Sequence, residues 1–195
     1  VLLLVTGSSC SGKTTAARLC ADLPHLAVHD SDEHGVPSDA DTAWRQRDLR
    51  RWVQEATRLE RTGTDLLLTG QSPIGELLAV PEADRLATAV LLMDVEDRTR
   101  WRRLEERDPG KWSREEKRAF VGWARWHRAH AVDAAFHPEV LTEGAAAGMR
   151  WDRWLPGAGT GPSWMVEVID TTEQDVTTTA AALRDWVTLQ RSQNG

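Results

Sequence analysis

A short apolar run, Val1 to Val5, ends at Thr6 and opens into Gly7-Ser8-Ser9-Cys10-Ser11-Gly12-Lys13-Thr14, which matches the spacing G-x-x-x-x-G-K-[ST] at every defined position. No other feature restricts the fold as much. An unbroken apolar run of this length reads as a strand buried on both faces, and Thr14 to Ala21 is competent to form the helix after it. The two glycines let the backbone curl until successive N–H groups point inward, an arrangement that suits phosphate oxygens, and the helix start adds its positive dipole end. Lys13 places a full charge at the β and γ phosphates of a nucleotide, and the Thr14 hydroxyl is an oxygen ligand for its Mg²⁺. Gly7, Ser8, Ser9, Cys10, Ser11, Gly12, Lys13, Thr14 and Thr15 are therefore the candidate nucleotide-binding residues, with ATP and Mg²⁺ as expected cofactors. Cys10 sits where the field of a helix start favours a thiolate and hence oxidation; a small residue at a variable loop position is the simpler reading.

Four more strand-like runs follow: Leu26 to His29, Asp65 to Thr69, Ala89 to Met93, and Trp164 to Ile169. Helical patterns separate them, so the order is strand, helix, strand, helix, which predicts a parallel α/β sheet covered on both faces. Leu49, Trp52, Val53, Ala56 and Leu59 recur at helical spacing within 42–61. Ser113 with Glu116 fits a capping box ahead of Phe120, Trp123, Ala124 and His127, and Thr171 with Gln174 repeats that logic before the last helix. The stretch 142–163, rich in Gly, Ala and Pro, reads as a mobile loop or lid extension and contains Pro156-Gly-Ala-Gly-Thr-Gly-Pro162. Seven of the ten tryptophans fall between Trp101 and Trp164, where they either pack a subdomain or line a site, packing being favoured.

At 195 residues the chain reads as one domain, 1–195, with a lid or insert at about 108–163. Lys and Arg number 24 against 30 Asp and Glu, a net charge of −6, which argues against general nucleic-acid binding. Two cysteines make no disulfide framework, and no apolar run approaches the ~20 residues that span a bilayer, so a cytoplasmic protein without membrane contact is expected. Nothing in the sequence speaks to oligomeric state.

His29-Asp30-Ser31-Asp32-Glu33-His34 begins where the second strand ends, and strand periodicity sends Asp30 and Asp32 to one side, beside the phosphate loop. Phosphoryl transfer to an alcohol needs a carboxylate to orient or deprotonate the hydroxyl and oxygens to hold the metal's water, and two spaced acids divide those tasks. A solvated acidic turn is the competing reading. The histidines and cysteines lack the spacing of a structural zinc site. On the segment after the fourth strand, Arg103 and Arg107 share a helix face and suit a base or phosphate oxygens, whereas Arg98, Arg100 and Arg102 read as a solvated face pairing with Glu105 and Glu106.

Together these residues resemble the P-loop kinases of small molecules, the superfamily of nucleoside and nucleotide kinases, shikimate and gluconate kinases and chloramphenicol phosphotransferase, over about residues 1–110 and 164–188. The resemblance implies a P-loop NTPase three-layer sandwich: a five-stranded parallel sheet, first strand central, flanked by helices and carrying a helical lid. Asp30-Ser31-Asp32 is similar to the Asp-x-Asp of shikimate kinases, implying metal water for Asp30 and substrate hydroxyl for Asp32; the chloramphenicol phosphotransferases place their base at the position of Asp30, which leaves the two roles open. Gly70-Gln71 falls where shikimate kinases carry a substrate loop, although only Gly70 fits. Arg103-Leu-Glu-Glu-Arg107 resembles the segment before the lid of nucleotide kinases, implying adenine stacking by Arg103 and phosphate contact by Arg107, and Val168 to Thr172, with Asp170, is similar to the segment next to the adenine.

The sequence thus leads to an ATP-dependent kinase acting on a hydroxyl of a metabolite, nucleoside-like compound or antibiotic. Lys13, Asp30, Asp32 and Arg107 are its candidate catalytic residues, Thr14 and Asp30 its metal residues, and Asp32, Arg45, Gly70 and Gln71 its substrate contacts. A nucleotide-hydrolysing switch acting on a protein partner, and a polynucleotide-end kinase, are the alternatives. A pocket lined by Trp44, Trp126 or Trp151 favours a flat acceptor, and one dominated by arginines an anionic one.

Overall fold

In the computed structural model, which describes residues 1–155 and 164–194, the five apolar runs become one parallel sheet of order β2-β3-β1-β4-β5. Its strands are β1 (Leu2–Thr6), β2 (Leu26–Asp30), β3 (Asp65–Thr69), β4 (Thr88–Asp94) and β5 (Glu167–Asp170). Every residue of β1 is buried, as the unbroken apolar run requires of a central strand. Leu2 and Leu4 face one layer, where Leu66, Leu68, Trp52, Val53 and Leu77 pack. Leu3 and Val5 face the other, against Leu67, Leu91, Met93, Leu183 and Val187. Helices α2 (Thr42–Glu60) and α3 (Ile74–Ala79) supply the first cover, and α1 (Lys13–Arg18) and α7 (Val176–Asn194) the second. Each fully buried leucine contributes about 1.5–3 kcal/mol of transfer free energy, which makes this the sandwich's main stabilising term.

The chain leaves β1 towards β2 and β3 on one side, then crosses from β3 over to β4 and β5 on the other. Open parallel sheets bind ligands outside the carboxyl ends of strands at such a reversal. The loop after β1, Asp30 ending β2 with Asp32 just beyond it, Gly70 after β3 and Asp94 ending β4 all gather at that edge.

Helix α4 (Asp97–Arg107) follows β4, and α5 (Arg114–Val132) starts at the expected capping box, Ser113 Oγ accepting from the Glu116 amide at 3.1 Å. Arg125 donates to Asp97 at 2.6 Å, and Arg128 reaches Asp94 at 3.1 Å and Asp97 at 2.6 Å, so α5 is tied to the body of the protein.

Three expectations need correction. The last strand begins at Glu167, not Trp164, because the Trp164 indole turns to the Ala131 carbonyl and packs edge-on to His130. The cap of α7 is Asp175, whose carboxylate accepts from the Thr178 amide at 2.7 Å; Thr171 is buried, with its hydroxyl 3.1 Å from the Ser11 and Asp94 carbonyls. Residues 142–155 are docked onto α3: Arg150 N donates to the Ala79 carbonyl at 2.7 Å, and Arg153 donates to the carbonyls of Leu78, Val80 and Pro81 and to Asp84. A small helix, α6 (Glu139–Thr142), leads into this segment. The Gly- and Pro-rich run Pro156–Pro162 lies outside the described residues. Among the described residues no helix is long and apolar enough to cross a membrane.

Most of the tryptophan concentration resolves into packing, with Trp123 also lining a cavity. Trp126 stacks on Trp123 and His130, and Trp154 meets His130 and Trp164, so His130 is enclosed between α5 and the 151–154 turn, while His127 packs against Trp123 and Trp126 on its own helix. Burial pushes His130 down to about 4 and His127 well below the ordinary histidine range, and both remain neutral core groups near pH 7.

Candidate active site

The loop after β1 curls because its glycines adopt backbone angles closed to other residues. Gly7 has φ +140°, and a Cβ there would meet the Met93 carbonyl oxygen at 2.2 Å; Gly12 has φ +91°. Lys13 Nζ reaches across the curl to the Gly7 carbonyl at 2.6 Å, the Ser8 carbonyl at 3.2 Å and Ser11 Oγ at 3.4 Å. Burial, and then the nearby Arg100, lower the Lys13 pKa to about 8, while Asp30 and Asp32 oppose the shift.

Asp30 and Asp32 reach the same edge in different surroundings. Asp30 Oδ2 accepts from Thr14 Oγ1 at 2.6 Å and Thr69 Oγ1 at 2.7 Å, and Oδ1 accepts from the Asp32 amide at 3.0 Å. Burial alone would raise its pKa, but these donors hold the carboxyl below the usual range, so Asp30 is a fixed anion. Asp32 shifts the other way: burial, and then the charge of Asp30, raise it. Two adjacent acids with pKa values pushed apart separate a permanent charge from a proton acceptor.

A cavity of about 740 Å³ runs from the loop towards the start of α7, and Ser9, Cys10, Gly12, Lys13, Thr14 and Thr15 line its near end. On another wall Arg103 donates to the Thr171 carbonyl at 2.6 Å, to its hydroxyl at 3.0 Å and to the Cys10 carbonyl at 3.4 Å, and Arg107, paired with Asp108 at 2.7 Å, also lines the cavity. A second cavity of about 490 Å³ lies on the other side of the acids, between α2 and α5. Ser31, Asp32, Gly70 and Gln71 line both. A Cβ at Gly70 would come within 2.9 Å of Ser31 Oγ, so glycine lets the two segments pack closely there.

Most candidate residues are therefore brought together, with exceptions. Asp170 does not face the nucleotide cavity; its carboxylate turns back to the Thr172 amide at 2.9 Å, and Thr171, Gln174 and Asp175 line the wall instead. Ser8 directs its hydroxyl away from the cavity to the Phe120 carbonyl at 2.8 Å, joining the phosphate loop to α5. Cys10 does not carry the expected thiolate tendency: burial raises its pKa despite Arg107 and Arg100. Arg45 lines the second cavity, but its guanidinium forks onto Glu76. Of the expected tryptophans only Trp44 lines that cavity, joined by Trp123, since Trp126 and Trp151 belong to the aromatic packing.

Arg100 is the largest departure from the sequence reading. It is wholly buried, donating to the Ser9 carbonyl and to Asp94 Oδ1 at 2.5 Å, so it props the phosphate loop from beneath. Its spacing of four residues before buried Leu104 places it on the inward face of α4, a signal present in the sequence. Glu76 was also legible: one acid inside the apolar run Ile74 to Val80 demands a buried partner.

Solved structures share this architecture. A sugar kinase from Janibacter sp. HTCC2649 superposes with a TM-score of 0.57 at 16% identity, covering 95% of this chain and 93% of its own. A protein of Chloroflexus aurantiacus j-10-fl gives 0.57 at 15% identity over 100% and 97%. The thymidylate kinase of Candida albicans gives 0.50 at 11% identity over 99% and 92%. No protein-family model matches the sequence, and no curated protein matches it. The shared fold is a five-stranded parallel sheet between helical layers, as in the sugar kinase and thymidylate kinase structures.

Proposed function

We propose that the protein is an ATP-dependent kinase that transfers the γ-phosphoryl group to a hydroxyl of a small molecule. The supporting observation is that the two cavities, one built around Lys13 and the other between α2 and α5, share a wall made by Asp32, Ser31, Gly70 and Gln71. A switch that only hydrolyses nucleotide has no need of the second cavity.

Lys13 and the loop amides hold the β and γ phosphates, and Arg107 neutralises charge that develops on the moving group. Arg103 lies against the 171 turn, where it bounds the space for a base. Thr14 Oγ1 and Asp30 Oδ2, 2.6 Å apart, form a hard-oxygen pair of the kind that holds Mg²⁺ together with phosphates and waters. Bound there, the ion would supply charge stabilisation on the phosphate oxygens. Asp32 lies between the cavities with its pKa raised, which supports the reading in which it orients the acceptor hydroxyl and takes its proton while Asp30 serves as the fixed anion.

Incubation with γ-labelled ATP and a panel of hydroxyl compounds tests the reading. Label should appear on an organic product, and Lys13→Ala should reduce that transfer by about 100- to 1,000-fold, the scale of a lost electrostatic stabiliser. Label released only as inorganic phosphate would support the hydrolytic alternative, and transfer to a 5′-hydroxyl oligonucleotide the polynucleotide one.

A further inference from the structure

The acceptor cavity contains a guanidinium and is nevertheless an acidic site. Its wall carries the carboxylates of Asp32, Asp41 and Asp48, and Arg45 is the one Lys or Arg lining it among the described residues. That cation is already matched. Arg45 Nε lies 3.2 and 3.0 Å from the two Glu76 oxygens and Nη2 lies 2.7 Å from one of them, a fork–fork geometry, while its carbon centre sits 5.0 Å from the Trp123 ring. Glu76 is 0% exposed and takes a further bond from Gln46 Nε2 at 3.0 Å, so it is fixed behind the arginine. Of the three aspartates, Asp48 faces His34 at 2.7 Å and Arg51 at 3.7 Å, whereas Asp32 and Asp41 form no ion pair among the described residues. Trp44 and Trp123 add flat apolar surface.

We infer that this cavity takes an alcohol that bears no phosphate or carboxylate and lays an apolar face on the two indoles, and that Glu76 sets this preference by occupying the guanidinium an anionic acceptor would need. The inference rests on the kinase reading above. An anionic acceptor would face two unpaired carboxylates with no free cation, and such like-charge placement costs several kcal/mol, a discrimination of about 100-fold or more in kcat/KM. Asp41 works at the rim. Its side chain caps α2, accepting from the Trp44 amide at 2.7 Å, so Asp41→Asn keeps a good cap and removes one charge.

The test measures labelled phosphoryl transfer from ATP to paired alcohols that share a ring scaffold and differ in bearing no charge, an amine, a carboxylate or a phosphate. The wild-type protein should phosphorylate the uncharged or amine members and reject the other two. Glu76→Gln, which frees the Arg45 charge, should raise kcat/KM for anionic over uncharged members by about tenfold, and Asp41→Asn should move the ratio the same way by about threefold. If Glu76→Gln does not fold, Asp41→Asn alone decides. Preference of the wild-type protein for anionic members, or a ratio unmoved in the folded variants, overturns the inference and leaves the kinase intact. Lys13-dependent release of phosphate to water alone, across every pair, overturns both.

Discussion

On the proposed function, the phosphate side and the acceptor side meet at Asp32, yet they are built by opposite means. The phosphate-binding core is local in sequence: Gly7 to Thr15 form the curl, and α1 and β2 lead on to Asp30, while Arg103, Arg107 and the 171 turn complete the wall. The acceptor side is assembled from five separate pieces, with Leu4 on β1, Ser31 and Asp32 after β2, residues between Val36 and Leu49 leading into α2, Leu68 and Gly70 to Ser72 at the end of β3, and Trp123 on α5. A local motif can be recognised without knowing the fold, because its backbone geometry is set by neighbours in the chain. A pocket made by distant elements depends on how helices pack, so its chemistry becomes visible only once they are placed.

The comparison breaks first at Asp32. Asp32→Asn should lower turnover by about 100- to 10,000-fold, the range of a lost general base, while leaving ATP affinity within a few-fold; single-turnover kinetics and nucleotide titration separate the two. Equal losses in both would place Asp32 with the phosphate machinery instead. On the proposed function, a proton acceptor with a raised pKa means that turnover falls as the solution is acidified, with a midpoint above the ordinary aspartate value.

Removing the prop under the loop is the next largest perturbation. Arg100→Ala leaves the Ser9 carbonyl and part of Asp94 without a partner in the interior, and should cost about 3–5 kcal/mol in denaturant unfolding. Arg102→Ala, two residues away on the exposed face, should change stability by less than about 1 kcal/mol.

A smaller effect sharpens the electrostatics of the phosphate side. Lys13 has a pKa of about 8, and nucleotide phosphates favour its charged form. Affinity should therefore be flat below that pH and weaken by up to about tenfold per unit above it, with proton uptake on binding. Calorimetry in two buffers of different ionisation heat measures that uptake directly. Smallest is the link between the halves: Ser8→Ala deletes the bond to the Phe120 carbonyl and should cost about 1 kcal/mol, with hydrogen exchange rising first at the 120 end of α5.

Legibility in the sequence follows the same division. The five strands, their parallel order and the α5 capping box are read from apolar runs and capping residues, because those signals are local. Lys13, Thr14 and Asp30 come together as their spacing implies, and Arg103 reaches the 171 turn. Arg100 reads as solvated from its charge, although its distance from Leu104 marks it as inward. Trp164 reads as strand from hydrophobicity alone, and the structure spends it on His130. The pairing of Arg45 with Glu76 joins α2 to α3 across 31 positions, and no local pattern announces it.

The most direct measurement is a structure with Mg²⁺ and a non-hydrolysable ATP analogue. The terminal phosphorus should lie at the shared wall, beside the Asp32 carboxylate and open to the space between α2 and α5, with the β phosphate against Lys13. A triphosphate whose end points to solvent, with Asp32 separated from it by protein, would contradict transfer between the two cavities.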